Sequence, residues 1–356
     1  MSLSEDLDQA TAGLGEVPVE KFEKVKLENR NLKTRTGRLE KQIADLEEFV
    51  DQLVTIDEAE LEVPKWTLPK ANKNHSKAIA TLMISDCHFD EVVNPDEIEG
   101  LNAYNREIAQ QRLKRSFEKT IMMTDRYFTG FDYEGLNLFL GGDMVTGTLH
   151  DLAETNEAHL PETVLFWSEE LSAGIEMMVE RFGKVHVSGV VGNHGRLTLK
   201  PRTKGRVRDN VDWLIYKLLE REFRSDDRVT FQIPESADCM VPIYNTTYRL
   251  THGDQFRGGN GIAGIATAMV RGDARKRKLS MDTGRHYDVL VMGHFHQLTH
   301  YKSIIVNGAN KGYDEYAYLN GFEFEPPQQA FWVTTPTNAI VCNAPILTMD
   351  RKKEKW

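Results

Sequence analysis

The sequence predicts an α/β domain preceded by a helix that forms a coiled coil. From residue 78 onward, short apolar runs of strand length alternate with stretches of helical period, which is typical of α/β folds. Several of these runs end directly in aspartate, asparagine or histidine. Ligands of open α/β sheets bind beyond the carboxyl ends of the strands, so these polar clusters predict one shared site. A seven-residue apolar repeat within residues 19–54 predicts the coiled coil.

Composition limits the class of protein. A chain of 356 residues can bury a core of ~250 residues and still carry an appendage. Its net charge of -10, from 44 basic and 54 acidic residues, argues against a coat for nucleic acid. The cysteines Cys87, Cys239 and Cys342 lie far apart, which indicates neither a disulfide framework nor a cysteine zinc site. No apolar run approaches the ~20 residues that span a bilayer, so a cytoplasmic protein without a membrane partner is expected.

The N-terminal region is predicted to hold a disordered tail at 1–18 and the coiled-coil helix at 19–54. Valine or leucine fills one position of five consecutive heptads, and a single asparagine in the facing position is a device that fixes a parallel two-stranded register. The positions assigned to oligomerisation are Asn29, Leu32, Leu39, Ile43 and Leu46. A homodimer is favoured. Since Thr36 and Gly37 weaken the middle of the seam, a single helix packed on its own domain is the alternative.

The remaining chain is predicted to form a linker at 55–77, a domain at 78–345 and a basic C-terminal tail at 346–356. Strands are expected in the apolar runs that begin at residues 78, 136, 184, 248 and 289, and later at 303–306 and 330–335. Helices are expected at 101–128, 161–182, 208–223 and from the glycine-rich run 258–264 to residue 270.

Five polar clusters each follow an apolar run: Asp86 with His88, Asp143, Asn193 with His194, His252, and His294 with His296. An isolated pair such as His294 and His296 would be assigned to the surface, although side chains two apart on a strand reach the same place. Together the clusters offer oxygen and nitrogen donors that suit manganese, iron or zinc. The clusters offer more ligands than one ion needs, and Asp143 could bridge two ions ~3.5 to 4 Å apart. Such a pair stabilises both the attacking and the leaving oxygen when a phosphoester is hydrolysed.

The blocks ISDCHFD, LGGDMVTG, VVGNHGR, LTHGDQ and VMGHFHQ, between about residues 78 and 296, resemble the calcineurin-like metallophosphoesterase superfamily. Its pattern is D-x-H, G-D, G-N-H, H and G-H-x-H in this order. The resemblance implies a four-layer αββα sandwich with two metal ions at the strand ends. It implies one metal held by Asp86, His88 and His296, another held by Asn193, His252 and His294, and Asp143 as the bridge. It also implies a metal-bound hydroxide as the nucleophile and His194 as the acid that protonates the leaving oxygen.

Two departures from the family pattern narrow the prediction. Many members have an acidic residue after G-N-H that supports the histidine, whereas this chain has Gly195. The protein phosphatase branch has an arginine after G-D and a glutamate after G-N-H, and this chain has neither, so that branch is disfavoured. The DNA-repair exonuclease branch is the nearest one, although only 60 residues, 297 to 356, follow His296 and leave little room for its capping domain.

Basic residues near the clusters indicate the substrate. Residues 196–208 hold six basic residues and no acidic one, and residues 271–278 hold five against one aspartate. Basic stripes beside a phosphoesterase centre suit a polyanionic chain, while two solvated loops are the alternative. The candidates for binding substrate phosphate are Arg196, Lys200, Arg202, Lys204 and Arg206. Asp254 is either an acceptor that orients His252 or a turn residue. The aromatic residues assigned to packing rather than to base binding are Tyr313, Tyr316, Tyr318, Phe322 and Phe324.

The sequence therefore predicts a dinuclear metal-dependent phosphoesterase that hydrolyses phosphodiester bonds in nucleic acid, a nuclease-like activity. Two divalent ions are the expected cofactors, with manganese favoured and iron, zinc or nickel as alternatives. A phosphoesterase of small cyclic nucleotides or other nucleotides is the first alternative function. A nucleic-acid-binding or assembly protein with weak or no catalysis is the second, because of Gly195 and the heptad helix.

Overall fold

The computed structural model describes residues 19–57, 76–147, 156–256 and 265–356. The chain divides into two compact units, Met1–Lys73 and Asn74–Trp356. Three sequence predictions fall outside the described residues: the tail at 1–18, most of the linker at 55–77, and the start of the helix predicted from residue 258.

The first unit contains one long helix, α1, from Val19 to Asp57. It begins where the heptads begin and continues three residues beyond their predicted end. The apolar heptad side chains that the structure describes, from Val25 to Leu46, are exposed, from 49% at Leu39 to 61% at Leu46. An apolar stripe on a long, mostly charged helix is the pattern of a helix that pairs with another helix.

The second unit is an α/β fold with two mixed sheets. Its strands are β1 Ser76–Ile84, β2 Phe131–Leu140, β3 Val185–Gly189, β4 Val229–Gln232, β5 Asp238–Ile243, β6 Thr246–Thr251, β7 Val289–Met292, β8 Thr299–Tyr301, β9 Ile304–Val306, β10 Gln328–Thr334 and β11 Cys342–Leu347. Its helices are α2 Arg106–Met122, α3 Leu160–Phe182, α4 Val211–Glu222, α5 Ala266–Thr283, α6 Glu315–Leu319 and α7 Arg351–Glu354. No helix in the described part of the chain is both long and apolar enough to cross a membrane.

The first sheet has the order β11-β10-β1-β2-β3-β4, and the second has the order β5-β6-β7-β9-β8. Strands β1, β2, β3 and β4 run parallel to one another, as do β6, β7 and β9 in the second sheet. The outer strands β10, β11, β5 and β8 pair antiparallel. Each sheet therefore has a parallel centre whose strands all end at one edge.

Three apolar clusters separate four layers. The first fills the space between the first sheet and helices α2, α3 and α4, around Leu82 and Trp167. The second lies between the two sheets, with Phe139 from one sheet and Val291 from the other. The third joins the second sheet to α5 through Met269. Alternate residues of each central strand face opposite clusters, which explains why these strands are apolar throughout.

Helix α5 differs from the prediction, because it continues to Thr283 instead of ending at residue 270. The second basic cluster, at 271–278, therefore lies on a helix and not in a loop. The helix continues through Gly272. This glycine lies against the ring of Phe256, where the Cβ atom of a larger residue would come within 2.6 Å. The helix ends at Gly284, whose φ of 67° is the left-handed conformation that glycine adopts readily at helix ends.

The predicted basic C-terminal tail is also wrong, because residues 346–356 complete strand β11 and form helix α7. Glu354 of α7 is 7% exposed and forms ion pairs with Arg112 and Arg115 of α2. The many charges of the segment suggest a solvated tail, but one of them, Glu354, meets two arginines of α2 in a buried cluster. The segment is a structural part of the second unit.

Candidate metal centre

The five predicted clusters follow the central parallel strands of the two sheets, at the edges where these strands end. Three follow β1, β2 and β3 of the first sheet, and two follow β6 and β7 of the second. Hydrogen bonds join the two edges. The backbone N–H of His294 donates to Asp86 Oδ1 at 2.9 Å, and Nδ1 of His252 lies 2.9 Å from the carbonyl oxygen of Gly141. One site is thus assembled from both sheets.

The structure brings the predicted ligands together in groups whose donor atoms lie within 4.8 Å of one another. One group is Asp86, His88 and His296, and another is Asp143, His252 and His294. A third joins His88, Asp143 and His194. The seventh predicted ligand, Asn193, places Oδ1 3.2 Å from Nε2 of His252. The first and second groups are therefore adjacent, and Asp143 lies where they meet.

Strand alternation does not explain how the two histidines after β7 are placed. The strand ends at Met292, and the two rings enter different groups. Five of the predicted ligand residues have a left-handed backbone: Asp86, His88, Asp143, His294 and His296, with φ between 47° and 70°. This conformation is uncommon for residues other than glycine, and it clusters where a functional site constrains the chain. After β7 the left-handed residues His294 and His296 enter separate groups, whereas after β1 the left-handed residues Asp86 and His88 enter the same group.

His252 is oriented by the backbone rather than by Asp254. Its Nδ1 faces the Gly141 carbonyl, so Nδ1–H donates there and Nε2 faces Asp143 Oδ2 at 2.9 Å. A backbone acceptor that fixes one ring nitrogen and leaves the other for a metal is a common arrangement of histidine ligands. Asp254 instead accepts hydrogen bonds from both terminal nitrogens of Arg206, at 2.7 and 2.8 Å.

The donor set fits two divalent cations. The carboxylates of Asp86 and Asp143 are buried, and in the described part of the chain their ion pairs are with histidines alone. Buried charges in proteins are either paired or bound to metals. Burial disfavours a charge on His252, yet the carboxylates of Asp143 and Asp86 raise its pKa to about 10. The site therefore attracts positive charge, which a metal ion would supply.

Burial favours the neutral form, which binds metals, in two further imidazoles, those of His294 and His88. Burial lowers the pKa of His294 to about 4, with the charge of His252 as the next cause. Burial also lowers the pKa of His88 well below its usual range, and Lys311 adds to this effect. The Nε2 atoms of His88 and His296 lie 3.2 Å apart. Two imidazole nitrogens this close can both face one cation.

At two positions of the motifs only glycine leaves room for the carboxylate beside it. A Cβ atom at Gly293 would lie 2.3 Å from Asp86 Oδ2, and one at Gly192 would lie 2.1 Å from Asp143 Oδ1. Ser85 Oγ also donates to Asp86 Oδ2 at 2.5 Å. The carboxylates are thus held in place by close packing as well as by hydrogen bonds.

Sequence reasoning missed the buried groups around these ligands. Glu91 Oε2 lies 3.5 Å from Nδ1 of His88, and Glu91 also accepts from Nζ of Lys311 at 2.8 Å and from Thr146 Oγ1 at 2.9 Å. Asp212 was equally missed, although its carboxylate lies directly behind the Asp143 loop. An aspartate at the start of a helix is a common sequence feature, so no local signal distinguished it.

The predicted phosphate-binding residues fall into two classes. Lys200, Arg202 and Lys204 are exposed, whereas Arg196 and Arg206 are half-buried. Arg196 Nη1 donates to the carbonyl oxygen of Asn193, and Arg206 is paired with Asp254. A pocket between these residues is lined by Asn193, Arg196, Arg202 and Arg206. The basic loop therefore begins at the ligand groups and extends into solvent.

The aromatic segment near α6 is not wholly a packing feature. Tyr313 is 8% exposed, as predicted for packing, but Tyr316 is 64% exposed and Phe322 is 50% exposed. The latter two rings contact one another with centroids 5.8 Å apart. These two residues therefore pack on one another at the surface and do not enter the core.

Comparison with known proteins yields only distant likenesses. No protein-family model and no curated protein matches the sequence. Vacuolar Protein Sorting 29 from Cryptosporidium parvum is 13% identical, over 73% of this chain and 86% of that one, with a TM-score of 0.30. A conserved uncharacterized protein from Streptococcus pneumoniae TIGR4, predicted to be a phosphoesterase, is 10% identical, over 75% and 95%, with a TM-score of 0.28. A dimetal phosphatase from Danio rerio is 10% identical, over 76% and 99%, with a TM-score of 0.34.

Likenesses this distant decide neither the fold nor the function of the chain. The function is instead inferred from the order of the motifs and from the arrangement of the ligand groups.

Proposed function

We propose that the chain is a calcineurin-like metallophosphoesterase that hydrolyses phosphodiester bonds with two divalent metal ions, and that its substrate is nucleic acid. The observation that carries this proposal is the position of Asp143, whose carboxylate belongs both to the group with His252 and His294 and to the group with His88. A carboxylate shared between two ligand groups suits a pair of ions.

Asp86, His88 and His296 would hold one ion, and Asn193, His252 and His294 the other, with Asp143 between them. Such ions, manganese being favoured, would neutralise phosphate charge and lower the pKa of water toward neutrality. The chain itself must orient the phosphate and provide a proton.

His194 is the residue that we assign to the proton. It is half-buried beside the ligand groups, and its ring centroid lies 4.5 Å from that of His88. Its backbone N–H donates to Asp143 Oδ1 at 2.7 Å, which fixes the turn that presents the ring. From this place the ring of His194 donates a proton to the leaving oxygen. Arg196 at the pocket binds the reacting phosphate, and the exposed Arg202 binds a neighbouring phosphate of the nucleic-acid chain.

The proposal predicts how His194→Ala changes the hydrolysis of different substrates by the manganese-loaded protein. We expect ~100-fold slower cleavage of single- or double-stranded DNA or RNA, because an alkoxide leaving group needs a proton. We expect a smaller loss on bis-p-nitrophenyl phosphate, because p-nitrophenolate leaves without protonation. The measurement is kcat on each substrate with and without added metal.

Charge reversal in the basic loop tests whether the substrate is nucleic acid or a small molecule. Reversal of Arg202 and Lys204 to glutamate should raise KM for nucleic acid and leave the small diester unaffected. The matched reversal of Lys352 and Lys353, both exposed on α7, should change neither. No metal-dependent turnover of any substrate by the unmodified protein would refute the proposed function. Turnover of the small diester or of nucleotides alone would identify a small-molecule phosphoesterase instead.

We further propose that α1 forms a parallel dimer through Leu32, Leu39, Ile43 and Leu46, with Asn29 fixing the register. The exposure of these leucine and isoleucine side chains along one helix supports this proposal. Leu39→Glu with Leu46→Glu should halve the mass measured by sedimentation, because two charges per chain would enter the seam. Leu27→Glu, on the same helix but outside the seam, should leave the mass unchanged. If the unmodified protein, the double variant and Leu27→Glu were all monomers, the proposal would be contradicted.

A further inference from the structure

The loops that carry Asp143 and Asn193 are joined by one buried carboxylate, that of Asp212 at the start of α4. Asp212 is completely buried. Its Oδ2 accepts from the backbone N–H groups of Asp143 at 3.0 Å and Gly192 at 2.9 Å. Its Oδ1 accepts from the backbone N–H of Met144 at 3.1 Å. One side chain thus binds both loops that carry predicted ligands.

Asn210, two residues earlier, strengthens the same junction. Its Oδ1 accepts from the backbone N–H of Asp212 at 2.8 Å and caps the helix. Its Nδ2 donates to the carbonyl oxygen of Gly192 at 2.9 Å. The backbone N–H of Val211 donates to the carbonyl oxygen of Gly195 at 2.7 Å. The first turn of α4 is therefore fixed to the loop that contains Asn193 and His194.

Gly195 shows that the space next to His194 is already filled from this helix. A Cβ atom at Gly195 would lie 2.5 Å from Asn210 Oδ1 and 3.1 Å from Asp212 Oδ1. No side chain fits at this position unless Asn210 moves. The carboxylate of Asp212 therefore lies next to the position at which other members of the family carry an acidic side chain.

We propose that Asp212 is a positioning residue, which holds the Asp143 loop and the Asn193 loop at the separation that a metal pair requires and supplies a carboxylate next to Gly195. This inference rests on the proposed function. An ionised carboxylate can accept all three backbone N–H groups, whereas an amide has one acceptor oxygen and would turn its own N–H₂ toward a donor. Loss of such outer partners commonly costs metal sites 10- to 100-fold in affinity or activity.

The test is Asp212→Asn in the full chain, with calorimetric titration of the metal-free protein by Mn²⁺. We expect affinity for Mn²⁺ to fall ~10- to 100-fold and kcat on bis-p-nitrophenyl phosphate to fall at limiting metal, with KM unchanged. Glu354→Gln is the matched control, because it also replaces a buried carboxylate with several donors, but away from the predicted ligands. It should lower the melting temperature and leave Mn²⁺ affinity within twofold.

Gly195→Ala provides a second variant if Asp212→Asn does not fold. Its methyl group must displace Asn210 and Asp212, so a loss of Mn²⁺ affinity is again expected. Unchanged Mn²⁺ affinity in every folded variant of this pair would overturn the positioning role. An unmodified protein that neither binds Mn²⁺ nor hydrolyses the diester would instead overturn the proposed function, so the two failures are distinguishable.

Discussion

Asp143→Asn is expected to abolish diester hydrolysis and to weaken the binding of both metal ions. The loss should exceed the ~100-fold that an outer partner of a metal ligand costs, because this carboxylate belongs to more than one ligand group. Asparagine keeps the size of the side chain but removes the charge that balances two cations. The measurements are the metal content of the folded protein by elemental analysis and kcat/KM on bis-p-nitrophenyl phosphate.

Two histidine variants should each affect one metal site, in contrast to Asp143→Asn, which should affect both. His296 lies in the group with Asp86 and His88, and His294 lies in the group with Asp143 and His252. His296→Ala and His294→Ala should therefore each weaken one metal site and leave the other occupied at moderate metal concentration. Equal loss of both metals in each histidine variant would show that the two groups do not act as separate sites.

Glu354→Gln is expected to cause the largest loss of stability that does not involve the metal centre. The carboxylate accepts from Arg112 Nη2 at 3.0 Å and from Arg115 Nη1 at 2.5 Å, in a cluster closed to solvent. Removing it leaves two guanidinium groups buried without their counter-charge. The free energy of unfolding should fall by about 3 kcal/mol at neutral pH, as measured by chemical denaturation.

The pH dependence of this loss is set by the pKa of Glu354. Burial alone would raise that pKa, but the hydrogen bonds and charges of Arg112 and Arg115 hold it at about 2, against 4.5 for an ordinary glutamate. A depressed pKa stabilises the fold above the unfolded value, and the stabilisation is lost as the pH falls toward the folded value. The difference between the unmodified protein and the variant should therefore shrink to about half by pH 3.

An exposed carboxylate on α2 provides the control for this effect. Glu118 lies 3.8 Å from Lys114 on the solvent side of the same helix that carries Arg112 and Arg115. Glu118→Gln should change the free energy of unfolding by less than about 1 kcal/mol. If Glu354→Gln behaved like Glu118→Gln, the buried cluster would contribute nothing to the stability of the C-terminal helix.

The central strands and the candidate ligands could be predicted because both depend on local patterns. A run of apolar residues that ends in aspartate or histidine marks a buried strand and the ligand-bearing turn after it, as at β1 and β7. Strands β5 and β11 were missed because Pro242 and Pro345 interrupt their apolar patterns. Each pairs with a single strand of its sheet, and proline is tolerated on edge strands.

Other features depend on contacts between distant parts of the chain and had no local signal. Glu354 meets Arg112 from 242 residues away, so the charges of α7 could not be distinguished from those of a solvated tail. Asp212 meets Asp143 from 69 residues away, and nothing near either residue indicates the contact. The pairing of Arg206 with Asp254 likewise left one predicted phosphate-binding residue engaged within the protein.

The left-handed backbone of five candidate ligands means that folding and metal binding make opposite demands on the same positions. Glycine would relax the chain at Asp86, His88, Asp143, His294 and His296, since each side chain there has a cost of ~1 to 2 kcal/mol in this conformation. Glycine would also remove every donor atom. The side chains at these positions therefore keep the donor atoms of the candidate metal centre at the expense of an unstrained turn.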